Sequence, residues 1–241
     1  GMLTVYFAVV ILTRPKPSLR DEAGQRLKLK VSDWLPYIAF GVGLGMATAS
    51  KINAASLALL LPAVELVRYF GLEHEQREAY RSFSWHMVLL AAVVSVFIFR
   101  LGQPYAFQGP GLLGVRFNQE WIAGLRTLQQ QSTGNVDFPP ALQWTRRSLA
   151  FPYYNLVVWG LGIPLGVTAL VSLIGMGWAG IKGKQFKLLP LWGWTVFYLL
   201  WQTTAWVKAM RYLLLIYPLL AIIAAWGIFQ LWRAKGEIKL W

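Results

Sequence analysis

Apolar residues along this chain gather into seven long runs separated by polar or basic stretches. The runs are Met2–Leu12, Trp34–Ser50, Ala54–Tyr69, Ser84–Phe99, Asn155–Trp178, Leu188–Trp206 and Tyr212–Trp232. A helix needs about 20 apolar residues to cross the roughly 30 Å hydrocarbon core of a bilayer. The pattern therefore predicts an all-α fold: a polytopic transmembrane helix bundle of about seven membrane segments. The first run is short. No basic region precedes it and no small-residue cleavage site follows, so it is not a signal peptide. It reads as the tail of a membrane helix that begins before Gly1, which makes residues 1–241 one truncated transmembrane domain.

Local signals set the boundaries of the runs. Pro15 and Pro17 end the first, because proline removes a backbone donor and clashes with the preceding turn. Lys51-Ile52-Asn53 interrupts the second and third. Trp34, Trp85, Trp178, Trp206 and Trp232 stand where an aromatic belt anchors helix ends. The second run carries Gly41, Gly43 and Gly45. A dinucleotide-binding reading fails, since no strand precedes these glycines and no phosphate-binding turn follows. Gly41, Gly45 and Ala49, four apart, instead let another helix approach closely.

Composition agrees. Of 241 residues, 56% are hydrophobic and only 14% charged, against about 25% charged in ordinary soluble domains. The net charge is +13, but the cations lie between apolar runs rather than on one face, as a nucleic-acid footprint requires. No nucleic-acid partner is expected. The positive-inside rule explains the distribution better. With Thr13–Asp33 cytoplasmic, the inner segments hold fifteen of the 23 Lys and Arg and the outer segments eight. Five of those eight fall in one long loop, 100–154, which weighs little in the rule. The chain is expected in the cell membrane, multi-pass, with that loop extracytoplasmic. Cysteine is absent, which excludes a disulfide framework and thiolate metal sites.

The loop 100–154 is rich in aromatic residues, which argues against disorder. Phe117, Trp121, Ile122, Leu125 and Leu128 recur at helical spacing. They predict a helix over about Asn118 to Gln130, either lying on the membrane surface or packed on the protein's own outer face. The loop holds the two outer carboxylates, Glu120 and Asp137. Either suits a general base, an acceptor-site contact or a metal ligand, so a divalent cation stays open as cofactor. The plainer readings are a helix-start charge for Glu120 and a turn residue before Pro139-Pro140 for Asp137. His74 and His86 lack metal-ligand spacing, and no metal site is assigned.

Lys51 is the most informative cation. An ionisable residue at a helix junction within membrane depth is costly and marks a functional candidate; the plainer reading is a lysine snorkelling to the headgroups. Lys208 and Arg211 form a second outer basic pair. Such cations suit an anionic ligand, a lipid phosphate above all, and the expected topology predicts that Lys51 faces a cavity shared with Arg211. Glu65, near an inner end, is the one acidic residue within the apolar runs.

The segment Gly43-Leu44-Gly45-Met46-Ala47-Thr48-Ala49-Ser50-Lys51 resembles the small-residue helix ending in lysine of polyprenyl-phosphate-sugar-dependent glycosyltransferases. These are membrane enzymes of the GT-C class, including protein mannosyltransferases and lipid A aminoarabinose transferases. Met210-Arg211-Tyr212-Leu213-Leu214-Leu215-Ile216-Tyr217-Pro218 resembles the Arg-Tyr-led helix near the end of their membrane domain. Gln103–Gly111, Pro139–Trp144 and Asn155–Gly166 look like a subgroup found in green non-sulfur bacteria and some archaea. The matches span about Gly41 to Trp226. Each alone is weakly specific; their order and shared topology carry the resemblance.

The resemblance implies transfer of a sugar from a polyprenyl-phosphate carrier to an acceptor on the outer face. It places Lys51, Arg211 and Tyr212 at the lipid phosphate of the donor. It also implies a catalytic carboxylate in a first outer loop, which here would precede Gly1; Asp33 falls on the inner side. The catalytic residues are therefore unknown. The rival class is a non-catalytic polytopic membrane protein: a transporter, a structural subunit or a degenerate glycosyltransferase that only binds lipid. A transporter of the common kind would show two repeated halves with broken helices, and no internal repeat is found.

Overall fold

The computed structural model describes residues 1–15, 30–109, 111, 114, 116–134 and 139–237. The described residues are 83% helical, which establishes the helical class. They form two compact units, residues 1–118 and 119–241 in sequence, divided at Asn118/Gln119.

The first unit begins with α1 (Met2–Thr13) and α2 (Val31–Ser50). The start of α2 is capped by its own sequence: the Asp33 carboxylate accepts from the Lys30 backbone N–H at 2.7 Å, satisfying a donor that a helix start otherwise leaves open. Pro36 lies inside α2 and cannot donate to the carbonyl four residues back. That carbonyl, on Ser32, instead accepts from the Arg14 guanidinium at 2.7 Å. After Lys51 a 3-10 segment, Ile52–Leu59, runs directly into α3 (Leu60–Phe70). Gly71 ends α3, and α4 (His74–Gly102) follows. Helix α4 thus starts well before the apolar run at Ser84, because Tyr80 and Phe83 turn inward and bury themselves in the turn that charge patterning alone reads as loop.

The glycines of α2 do what their spacing predicts. A Cβ on Gly41 would lie 2.5 Å from the Ala91 carbonyl oxygen, and one on Gly45 would lie 2.6 Å from that of Ser95. Both therefore face α4 at backbone contact distance. Gly43, on the opposite side, would meet the Thr4 backbone of α1 at 3.0 Å. Helix α2 is thus pressed between α1 and α4, with Phe40 and Leu44 buried in the same interior as Ile11, Leu57 and Leu60.

Beyond α4 the chain folds back on itself. A two-residue antiparallel ladder pairs β1 (Phe107–Gln108) with β2 (Arg116–Phe117), Phe107 opposite Phe117. Arg100 organises this hairpin by donating to the carbonyls of Gly114 at 2.9 Å, Gly111 at 2.8 Å and Pro104 at 3.1 Å. Asn118 is buried and donates to the Tyr105 carbonyl at 3.0 Å.

In the second unit α5 (Gln119–Thr133) is an amphipathic helix, followed by the short α6 (Pro139–Leu142) and α7 (Ala150–Asn155). A π-turn at Leu156–Gly160 and a left-handed Gly162 separate α7 from α8 (Ile163–Ile181). Helix α9 (Leu189–Thr204) leads through a 3-10 turn, Met210–Leu215, into α10 (Tyr217–Glu237). The core lies between α8 and α10, which bury Ala169 and Leu173 from the one and Leu219, Leu220 and Ile223 from the other.

Among the described residues three helices are long and apolar enough to cross a membrane: Ile52–Phe70, α4 and α8. Their uncovered faces are apolar as well. Trp85, Leu89, Val93, Val96 and Phe97 form an exposed stripe along α4, and Val167, Val171, Ile174, Trp178 and Ile181 form one along α8. Contiguous apolar surface of this kind is not kept in water. The remaining runs make shorter or more mixed helices. Helix α1 has 12 residues and α9 has 16, and α2 dilutes its apolar content with Asp33, Pro36 and its glycines.

Candidate functional site

Lys51 occupies the junction foreseen for it. It caps the C-terminal end of α2 with extended backbone, φ −155°, and its N–H donates to the Ala47 carbonyl at 2.9 Å. The carbonyl of Lys51 accepts from Ala54 at 2.9 Å, which starts the 3-10 segment at once. The side chain is half-exposed. Helix α4 ends beside it: the Gln103 amide donates to the Ala49 carbonyl at 2.8 Å, and Gly102 packs against the Ala49 methyl group. The unpaired carbonyls at a helix C-terminus carry partial negative charge and favour a cation. Lys51 therefore sits at a helix end that stabilises its charge, next to the Arg100 hairpin.

Arg211 and Tyr212 lie in the second unit, within the 3-10 turn Met210–Leu215 rather than in the long helix that the apolar run predicted. The α-helix starts only at Tyr217, next to Pro218, whose fixed φ suits a first turn. Arg211 is exposed, with its guanidinium 5.3 Å from the centre of the Tyr212 ring. The Tyr198 hydroxyl donates to the Tyr212 carbonyl at 2.9 Å and holds the turn on α9. Lys208, paired with Arg211 in the sequence, is instead buried. Its ammonium group points back to the carbonyls of Ala205 and Trp206, at 3.3 and 3.5 Å, and closes the end of α9.

Glu120 is exposed in the first turn of α5, where a carboxylate complements the positive end of the helix. Asp137 lies outside the described residues. Among the described residues no group of three or more His, Asp or Glu could hold a metal ion. Helix α5 begins one residue later than expected and runs on to Thr133. None of its residues is buried; Trp121, Ile122 and Leu125 are half-covered and Leu128 is 63% exposed.

A second polar cluster, at the far end of α2 and α3 from Lys51, is one that sequence reasoning largely missed. Glu65 is buried and accepts from the Tyr37 hydroxyl at 2.8 Å on one carboxylate oxygen and from the Tyr80 hydroxyl at 2.8 Å on the other. Arg68, also buried, donates to the Tyr80 oxygen at 2.7 Å, to the Arg14 carbonyl at 2.9 Å and to the Ile11 carbonyl. The last two acceptors are carbonyls at the end of α1, which a helix cannot satisfy itself. One network thus ties α1, α2, α3 and α4 together. The available signal was Glu65 and Arg68 three apart on an otherwise apolar helix, a spacing that puts both on one face.

The fold and its exposed faces define a predominantly helical protein in which, among the described residues, three helices are long and apolar enough to cross a membrane. No family model, curated protein or solved structure matches the chain.

Proposed function

We propose that this protein is a multi-pass membrane glycosyltransferase of the GT-C kind, which transfers a sugar from a polyprenyl-phosphate carrier to an acceptor at the outer membrane face. In the reaction an acceptor hydroxyl oxygen attacks the anomeric carbon, the bond from that carbon to the carrier phosphate oxygen breaks, and the lipid phosphate leaves. The hydroxyl proton passes to a carboxylate base, a role no residue of this chain is assigned. The leaving phosphate needs fixed positive charge, and this is the role proposed for Lys51. On this reading the shorter apolar helices also cross the bilayer, giving about seven passes, and the 100–154 loop lies outside with α5 on the membrane surface.

The observation that supports the reading most is Lys51 itself. It ends a glycine-lined helix pressed between two neighbours, at a break flanked by apolar segments, half-exposed beside the folded hairpin after α4. A lysine that only snorkelled would need none of this surrounding. Binding of a polyprenyl phosphate, measured with the whole chain in nanodiscs against the neutral polyprenol, tests the role. Lys51→Ala is expected to weaken phosphate-specific binding about tenfold, the scale of one charge-assisted contact, with unchanged helical content. Lys51→Arg should recover only part, since the two cations differ in shape and donor geometry. Equal binding by wild type and Lys51→Ala would remove Lys51 from the site.

A further inference from the structure

A groove lies in the second unit, away from Lys51 and from the Glu65–Arg68 cluster. It runs between α8 and α9 and encloses about 370 Å³, within the range of small-molecule sites. Leu173, Ile174, Val196 and Trp192 line it, with Trp178 and Lys182 toward the C-terminal end of α8. Gly177 also lines it. A Cβ there would meet the Trp192 indole at 2.6 Å, so only glycine lets the ring lie flat on α8. The indole N–H then donates to the Leu173 carbonyl at 2.9 Å, fixing the ring as one wall.

The charge at the groove's end is of one sign. Lys182 lines it, and the turn joining α8 to α9 adds Lys184 and Lys187; all three are exposed, and no Asp or Glu occurs from Ile181 to Leu188. The groove opens on the same face of α8 as the exposed apolar stripe, which includes Ile174 and Trp178. An occupant must therefore enter from hydrocarbon, be apolar along most of its length, and carry an anionic head.

We propose that this groove binds one acidic glycerophospholipid, an acyl chain along Leu173, Ile174 and Val196 and the headgroup phosphate on Lys182 and its neighbouring lysines. Basic pockets between membrane helices recognise anionic headgroups in this way, and paired tryptophans suit the boundary between acyl chain and headgroup. The proposal rests on the membrane-crossing length of α8 and not on the glycosyltransferase reading. It concerns the turn of α8 and α9, far in sequence from Lys51.

The test is native mass spectrometry of the whole chain, delipidated in detergent and titrated with phosphatidylglycerol or phosphatidylcholine. The expected result is one retained phosphatidylglycerol, held at least about tenfold more tightly than phosphatidylcholine, the scale of two or three lysines near an anionic surface. The combined variant Lys182→Gln, Lys184→Gln, Lys187→Gln, on an exposed turn, should bind both lipids equally. Val196→Trp, with helical content checked by circular dichroism, should fill the groove and lose the retained lipid. Equal affinity of the wild-type chain for the two lipids would overturn the proposal, as would undiminished phosphatidylglycerol binding by the triple variant. Displacement of the lipid by an equal concentration of glycerol phosphate would overturn the lipid assignment, because it would show that the groove contributes nothing.

Discussion

Arg68 shows what a single cation does when it is buried among helix ends. Its donors meet the Tyr80 hydroxyl and two carbonyls at the end of α1, and Tyr80 passes the contact on to Glu65. Removing one member of such a buried network leaves the others desolvated and unpaired, which costs far more than the same change at a surface. Arg68→Ala is expected to destabilise the first unit by about 3 kcal/mol or more, read from unfolding in mixed detergent micelles. Arg68→Lys should restore part of the loss, and a change below about 1 kcal/mol would show that the network is not a clamp. Of this network only Glu65 was singled out in the sequence, as the one acidic residue within the apolar runs. Its partners were not, because Tyr37 and Tyr80 lie 28 and 15 residues from it and reach it only through the packing of three helices. Lys208 shows the opposite limit. Its position invited pairing with Arg211, yet its ammonium group folds back to close α9, a local contact that charge patterning does not reveal.

At the scale of elements, small-residue spacing was the most readable signal. Gly41 and Gly45 face α4 as their four-residue period predicted, and Gly45 approaches the Ser95 carbonyl so closely that a Cβ would lie at 2.6 Å. Gly45→Ala should therefore cost about 1–3 kcal/mol through overpacking. Gly193→Ala, in α9 with nothing near its missing Cβ, should be neutral or stabilising by roughly 0.5–1 kcal/mol from backbone entropy alone. Thermal denaturation of the two variants in the same detergent compares them; similar losses in both would contradict the close packing of α2 on α4. Boundaries were less readable. The charged stretch before Ser84 is helical because Tyr80 and Phe83 bury there. The run from Tyr212 is broken into a 3-10 turn before the α-helix begins at Tyr217. The run from Asn155 is broken by a π-turn and by Gly162 at φ 79°. Apolar content records what a segment faces, and these breaks change the backbone without changing that content.

For the whole molecule, the helical class and the presence of membrane-length helices followed from the seven apolar runs, while among the described residues three helices reach that length and composition by themselves. Orientation belongs to the proposed reading and rests on the basic asymmetry between its two sides. The chain has no cysteine, so single cysteines at Ser132, Ser82 and Gly183 can be labelled with an impermeant thiol reagent in intact cells. Ser132 at the end of α5 is expected to react, and Ser82 and Gly183 only after permeabilisation; the reverse pattern would invert the topology.

The central claim, that Lys51 meets the phosphate of a polyprenyl carrier, is tested most directly by photo-crosslinking. A polyprenyl phosphate bearing a photoreactive group beside its phosphate would be irradiated with the whole chain in nanodiscs, and the labelled residues mapped by peptide mass spectrometry. The account predicts labelling concentrated at Ala49–Asn53, reduced several-fold in Lys51→Ala and absent with the matching neutral polyprenol. Labelling spread evenly over the lipid-facing stripes of α4 and α8, or equal with phosphate and polyprenol, would contradict it.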